Sequence, residues 1–262
     1  MASKVDFIIV GQGLAGSALA MALIRRGKSV LVIDRADPSA ATRVAAGLVT
    51  ALAGKGMNPA WRQSVYLPEA LAYYGELESS SGEKLFHAHP VLRLFADAKE
   101  RAKFERKKEA VAEWVKDNSA SLDTEQLNAE FGGFEMAHSG RLDTCAYLRV
   151  VRALLETKDG YREEDFSEAD LEFSSEHVTW NGVEAEKVIL CQGFAGLQSG
   201  SFSDVEHRSA KGEMLTVRVD DLDDSRILSR NGWMVPLGDS LWRAGATYDW
   251  GELDSKVTES GL

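Results

Sequence analysis

Residues 7–35 read FIIVGQGLAGSALAMALIRRGKSVLVIDR. Phe7-Ile8-Ile9-Val10 is short, apolar and rich in β-branched residues, the pattern of a strand buried on both faces of a parallel sheet. Gly11, Gly13 and Gly16 follow as GxGxxG. In such a loop the first glycine permits a tight turn. The second leaves the backbone open to a pyrophosphate, and the third lets the next helix lie close to the strand. Leu14, Ala15 and Gly16 open a helix expected to run to about Arg26, with its free N–H groups and positive dipole end toward the phosphates. Gly27 behind Arg25 and Arg26 suits a C-cap. Val30–Ile33 is the second strand. Asp34 ends it, 18 residues past Gly16, where a carboxylate can accept hydrogen bonds from ribose hydroxyls. Strand, glycine turn, helix, strand and terminal acid all fall at the spacing of a dinucleotide-binding βαβ unit. Asp34 disfavours a 2′-phosphate, which makes NADP the least favoured dinucleotide.

The chain of 262 residues is long enough for one large domain or two smaller ones. Its formal net charge of -11 repels phosphate backbones and anionic lipid heads, so nucleic acid and membrane surfaces are not expected partners. Cys145 and Cys191 have neither disulfide-framework nor metal-type spacing, which fits a reducing cytoplasm. No signal peptide and no membrane-spanning run is read.

Pro38–Gly56 (PSAATRVAAGLVTALAGKG) has small side chains almost throughout, so it can lie flat against a ligand or form a flexible loop. Trp61–Leu77 reads as a helix with Val65, Leu71 and Tyr74 toward the core and a kink or break at Pro68. Leu85–Phe95 reads as paired strands. Asp97–Asp117 reads as one charge-rich amphipathic helix with Phe104, Val111, Trp114 and Val115 on its buried side. His87 and His89 share a strand face, but no further ligands stand nearby and no metal site is expected. Asp143–Leu155 is a helix burying Ala146, Leu148, Val151 and Leu155. Short strands follow around Tyr161, around Val178 and at Val188–Cys191, the last ending in Gln192-Gly193, where ligands of open α/β sheets gather. Met214–Val219, Trp233–Pro236 and Leu241–Thr247 alternate in the manner of an antiparallel sheet.

These motifs, taken in order, resemble those of the D-amino acid oxidase and glycine oxidase family of FAD-dependent oxidoreductases. The longer pattern GxGxxGxxxAxxxxxxG, completed by Ala20 and Gly27, resembles their N-terminal fingerprint. Thr42-Arg43-Val44-Ala45-Ala46-Gly47-Leu48 resembles the small-residue segment beside the flavin. Val188–Gly193 resembles the second dinucleotide-contacting strand, with Cys191-Gln192-Gly193 in place of the usual Ala-Thr-Gly. Lys211-Gly212-Glu213 resembles the family's Arg-Gly-Gln turn, and Trp233–Pro236 with Gly245-Ala246-Thr247 the paired strands after it. Leu237 departs from the polar residue often found there. Members also continue about 100 residues further, the size of a small domain segment, so this chain is expected to lack a C-terminal part.

The resemblance implies an α/β fold: a Rossmann-like FAD-binding domain with a parallel sheet (1–84 and 140–210) and a smaller α+β substrate domain with an antiparallel sheet (85–139 and 211–262). It implies FAD contacts from Gly11, Gly13, Leu14, Ala15, Gly16, Asp34, Arg35, Thr42, Arg43, Ala46, Gly47, Leu48, Cys191 and Gly193. Substrate contacts are expected from Met234, Arg243 and Tyr248, with Trp233 beside them. No metal is implied and no catalytic acid or base is singled out. The implied reaction oxidises an amine or amino acid by hydride transfer to flavin N5, giving an imine and, with oxygen, hydrogen peroxide. The alternatives are an NAD-dependent Rossmann dehydrogenase, a flavin-dependent tRNA-modifying oxidase, which the acidic charge disfavours, and a non-catalytic dinucleotide-binding fragment.

Overall fold

In the computed structural model, which describes residues 3–117, 122, 125–198 and 200–261, the apolar run at Phe7 is the end of a longer strand, Ser3–Val10. The strand pairs in parallel with Val30–Asp34 on one side and Val183–Leu190 on the other. Burial on both faces explains its unbroken hydrophobicity: Ile8 and Ile9 are both 0% exposed. Tyr161–Glu163 extends the sheet in parallel beyond Val30–Asp34. Val178–Trp180 and Leu171–Phe173 close the other edge antiparallel, which makes six strands. One face buries Ile8, Val10, Leu31, Ile33, Trp180 and Val183 together. The helix after the glycines runs Leu14–Ile24 and packs against the Thr144–Glu156 helix, whose Ala146, Leu148, Val151 and Leu155 are all buried as the periodicity predicts.

The chain divides into two compact units, Met1–Ala45 with Thr144–Ser209 and Ala46–Asp143 with Ala210–Leu262. Residues 46–84 and 140–143, expected in the first unit, group with the second, which is therefore the larger of the two. The cause is long-range strand pairing. Leu48–Val49, Gly140–Leu142 and Phe86–Ala88 form a three-stranded sheet. Leu52 and Met57 join the core built around Phe95, Phe104 and Phe134.

The second unit holds a seven-stranded sheet in the order Met214–Arg218, Leu241–Gly245, Gly232–Gly238, Ile227–Arg230, Val91–Leu94, Gly133–Met136, Val115–Asp117. Its pairs are antiparallel except Ile227–Arg230 with Val91–Leu94, which run parallel. Leu85–Phe95 does not pair with itself. His89-Pro90 carries the chain from the small sheet to the large one. Asp97–Asp117 is not one helix either. Asp97 caps Ala98–Lys107 through the Glu100 N–H (2.8 Å), a 3₁₀ turn spans Glu109–Val111, and Val115–Asp117 joins the sheet edge.

The expected Trp61 helix is Gln63–Ser81, and it runs through Pro68 without a break, since proline removes only one intrahelical bond. Leu67, Leu71, Tyr74 and Leu77 make its inner stripe. Val65, two residues before Leu67 and so about 200° round the axis, is exposed rather than buried. Near its end Glu78 accepts the Leu85 and Phe86 N–H groups, both at 2.8 Å, and the Lys84 ammonium at 2.9 Å. Burial pushes this carboxyl up, but those hydrogen bonds outweigh it and hold it below the usual carboxylate range. A depressed folded-state value means stability that is present above the ordinary range and lost as pH falls through the lowered one. Glu78→Gln is therefore expected to flatten the acid limb of the stability profile, read as denaturant midpoint against pH, while lowering stability at neutrality.

Candidate functional site

The glycine turn is clamped by its neighbours. Gly11 donates to Ile33 O at 2.7 Å, and Cys191 donates to Val10 O at 2.7 Å. A Cβ on Gly16 would lie 1.9 Å from Gly11 O, so the helix approaches the strand closer than any side chain allows. Gly13 is different. It is the N-cap, with no side-chain cap bond and no acid in the first turn. A Cβ there would meet only the Thr42 hydroxyl, at 3.2 Å. The Thr42 hydroxyl also accepts the Leu14 N–H at 3.3 Å. This leaves bare backbone at the positive end of an eleven-residue helix.

Asp34 stands at the strand end as its spacing predicts. Its Oδ2 accepts the Gln12 N–H (2.7 Å) and its Oδ1 the Ala36 N–H (2.8 Å). Each oxygen keeps a second lone pair for a hydroxyl donor. Behind it lies a network that the motif does not announce. Gln12, 2% exposed, donates to Leu148 O (2.8 Å) and accepts from Arg152 Nε (3.0 Å). Arg152 reaches Glu163 (3.2 Å), stands 3.9 Å from Asp34 and lies over the Tyr161 ring at 4.4 Å. Arg152 Nη2 and the Tyr161 hydroxyl are buried beside Asp34 with no hydrogen-bond partner, and so is Ser17 Oγ in the helix. Burial pushes the Tyr161 phenol up to about 12, so it remains a donor. The one sequence signal for Arg152 is its place one turn after Leu148, where the helix turns apolar.

Of the other expected contacts in this unit, Arg35 turns to Asp37 (2.9 Å). Arg43 offers its carbonyl to the Cys145 thiol (3.2 Å). Cys191 is half-buried, and burial raises its thiol. Gly193, two residues further on, has a left-handed backbone conformation. Ala46, Gly47 and Leu48 belong to the second unit, where Ala46 and Leu48 pack on the phenylalanine core.

The sheet of the second unit separates the three expected substrate residues. Arg243 is paired with Val235 and Met234 with Ala244, so Arg243 and Met234 project from opposite faces. An open groove of about 360 Å³ lies on the Met234 side, lined by Leu94, Leu228, Arg230 and Ala244 among others. Tyr248 is 75% exposed and packs on Trp250. His87 and His89 bring their rings to 6.5 Å, and among the described residues no cluster of three metal-ligating side chains occurs. No helix among them is long and apolar enough to cross a membrane.

Residues 6–262 match the family model described as DAO, FAD dependent oxidoreductase. The chain belongs to this family. FAD is accordingly the family's cofactor, and the nicotinamide alternative falls away. The fold is similar to that of glycine oxidase from Geobacillus kaustophilus, with a TM-score of 0.78 at 20% identity over 99% of this chain and 75% of that one. It is also similar to iminodiacetate oxidase from Chelativorans sp. BNC1, with a TM-score of 0.77 at 20% identity over 97% of this chain and 75% of that one. L-proline dehydrogenase from P. horikoshii aligns at 0.75 and 13% identity over 100% and 75% of the two chains. At these identities the likeness is one of fold. An uncharacterized oxidoreductase of Bacillus subtilis (strain 168), YurR, is 41% identical over 58 residues, 22% of this chain and 16% of that protein.

The residues present suit the DAO family's cofactor. The Gly13 backbone is bare at an uncapped helix start, Asp34 keeps lone pairs for ribose hydroxyls, and buried donors without partners stand beside it.

Proposed function

We propose that this chain oxidises a carbon–nitrogen bond of an amine or amino acid, with FAD held at Gly11–Gly16 and Asp34. The observation that carries the reading is the pairing of an open, uncapped helix start at Gly13 with an acid 18 residues past Gly16. FAD supplies, when bound, the acceptor for a hydride from the carbon beside the nitrogen. The chain's own part is orientation. The Ala15 backbone N–H at the helix start, and that of Leu14 once released from the Thr42 hydroxyl, would hold the diphosphate, and the Asp34 carboxylate would take the ribose hydroxyls. Gln12, Arg152 and Tyr161 hold that carboxylate in place. The Ala45-Ala46-Gly47 segment contains no acid or base, so geometry rather than proton transfer is its contribution.

The test is an absorbance scan of the purified protein, followed by anaerobic bleaching with a panel of amino acids and N-methyl amines. A flavin spectrum that bleaches with members of the panel is expected. A yellow protein inert to every amine would end the reading. Arg152→Met should weaken FAD about tenfold, since it leaves Gln12 Oε1 and Asp34 without their charged neighbour, a loss of about 1.4 kcal/mol. Flavin titration of the apoprotein measures it.

A further inference from the structure

The Gln63–Ser81 helix buries Leu67 and Leu77 on its inner side. Its outer side begins with Arg62, Val65, Tyr66 and Glu69, which follow at the i, i+3, i+4, i+7 spacing and so line one stripe of about 100°. All four are exposed, and Trp61, just before them, is 78% exposed. The Arg62 guanidinium lies 5.2 Å from the centre of the Tyr66 ring and 5.7 Å from that of Trp61, and the two rings are 5.5 Å apart. Its hydrogen bond to the Tyr66 hydroxyl is long, at 3.4 Å. Among the described residues no carboxylate pairs with Arg62 and no cation with Glu69. Single apolar side chains at a surface are ordinary, but two aromatic rings stiffened by one guanidinium have the make-up of an interface anchor, where Trp, Tyr and Arg are enriched.

The order of the charges points to the occupant. A cation stands at one end of the stripe, an acid at the other, and two apolar side chains midway. A parallel copy in register would set like charges side by side. An antiparallel copy, related by a two-fold axis between Val65 and Tyr66, sets Arg62 of each chain level with the partner's Glu69, and Val65 with the partner's Tyr66. The stripe is its own complement in this arrangement, and a two-fold interface requires the same patch on both subunits. A partner of different sequence would impose no such symmetry.

We propose that the Arg62–Glu69 stripe is the centre of a dimer interface, with a second copy of this chain as its occupant and an antiparallel helix pair across the two-fold axis. The proposal goes beyond the redox reading and does not depend on it. One helix pair buries an area at the low end of specific interfaces, so the dimer is expected to be weak, with a Kd of about 10 μM.

The full chain, with FAD added, is sedimented to equilibrium at concentrations from about 1 to 300 μM, which bracket that constant. A monomer–dimer equilibrium is expected. Glu69→Arg sets cation against cation at both ends, and Arg62→Glu sets acid against acid; each is expected to weaken the dimer about tenfold or more. The double variant Arg62→Glu/Glu69→Arg exchanges the two ends and is expected to return to within about threefold of the wild type. A stripe that served only its own helix would not give that recovery. Tyr66→Ala is expected to weaken the dimer about tenfold. Arg62 holds a left-handed backbone, with φ 50°. Where Arg62→Glu does not fold, Glu69→Gln and Glu69→Arg carry the test, with a loss of about threefold for the lost attraction and about tenfold for the added repulsion. A chain that stays monomeric at every concentration would overturn the proposal and leave the stripe to another occupant. A dimer that ignores the charge reversals, or that the double variant does not recover, would overturn it as well. Mass reports association whether or not flavin is bound, so a chain that dimerises through this stripe yet oxidises no amine loses only the redox reading.

Discussion

Gly13→Val is expected to give a folded protein whose affinity for FAD has dropped about a hundredfold, close to 2.7 kcal/mol. The backbone of Gly13 is extended, with φ −85° and ψ −168°, a conformation that a β-branched residue adopts without strain. Its Cβ would touch only the Thr42 hydroxyl, at 3.2 Å, and a side chain can give by a few tenths of an ångström. The apoprotein should therefore lose little more than the Leu14 N–H bond to Thr42, about 1 kcal/mol. The valine methyls, however, occupy the approach to the helix start, where a diphosphate would take charge-assisted hydrogen bonds worth about 1.5–3 kcal/mol each. ADP should lose as much affinity as FAD, because both present a diphosphate, whereas adenosine should be indifferent. Titration of the apoprotein with the three ligands, beside its thermal melt, measures this. A Gly13→Val protein that still holds FAD at the wild-type affinity would show that the diphosphate lies elsewhere. Gly16→Ala is no substitute for this experiment, since its Cβ would strike the Gly11 carbonyl at 1.9 Å and damage the fold itself.

The part of this architecture legible in the sequence is the part whose signal is local. Strand, glycine turn, helix and acid in residues 7–35 each depend on neighbours within one βαβ unit, and all are where their spacing puts them. The misreadings arise where tertiary pairing overrides a local pattern. Val115–Asp117 continues a helical periodicity, yet it gains more as an edge strand against Gly133–Met136. Phe86–Ala88 and Val91–Leu94 look like a hairpin but find partners in two different sheets. Residues 46–49 change units because Gly140–Leu142, about ninety positions away, supplies their hydrogen bonds. Within the site, Asp34 is announced by its spacing from Gly16, whereas Gln12, Arg152 and Tyr161 meet only after the helix from Thr144 packs behind the sheet.

That long-range pairing makes Gly47 the most exacting position of the second unit. Its φ is +70°, and a Cβ would lie 1.9 Å from Leu142 O, a backbone atom that cannot swing aside. Its own carbonyl accepts the Leu142 N–H at 2.8 Å. An alanine there must carry a left-handed conformation, at a cost of about 1 kcal/mol, and must also push the two strands apart. Losing the Leu142 bond costs about 1 kcal/mol more, and uncovering Leu48 from the core adds a further 1–2 kcal/mol. Gly47→Ala is thus expected to destabilise the second unit by about 3–4 kcal/mol. Hydrogen exchange resolves where the loss falls. Amides of 48–49, 86–88 and 140–142 should lose protection, while those of 3–10, 30–34 and 183–190 keep theirs, because the parallel sheet has its own core. Uniform loss of protection across both sets of strands would mean that the two units unfold as one, and the local account of Gly47 would be wrong.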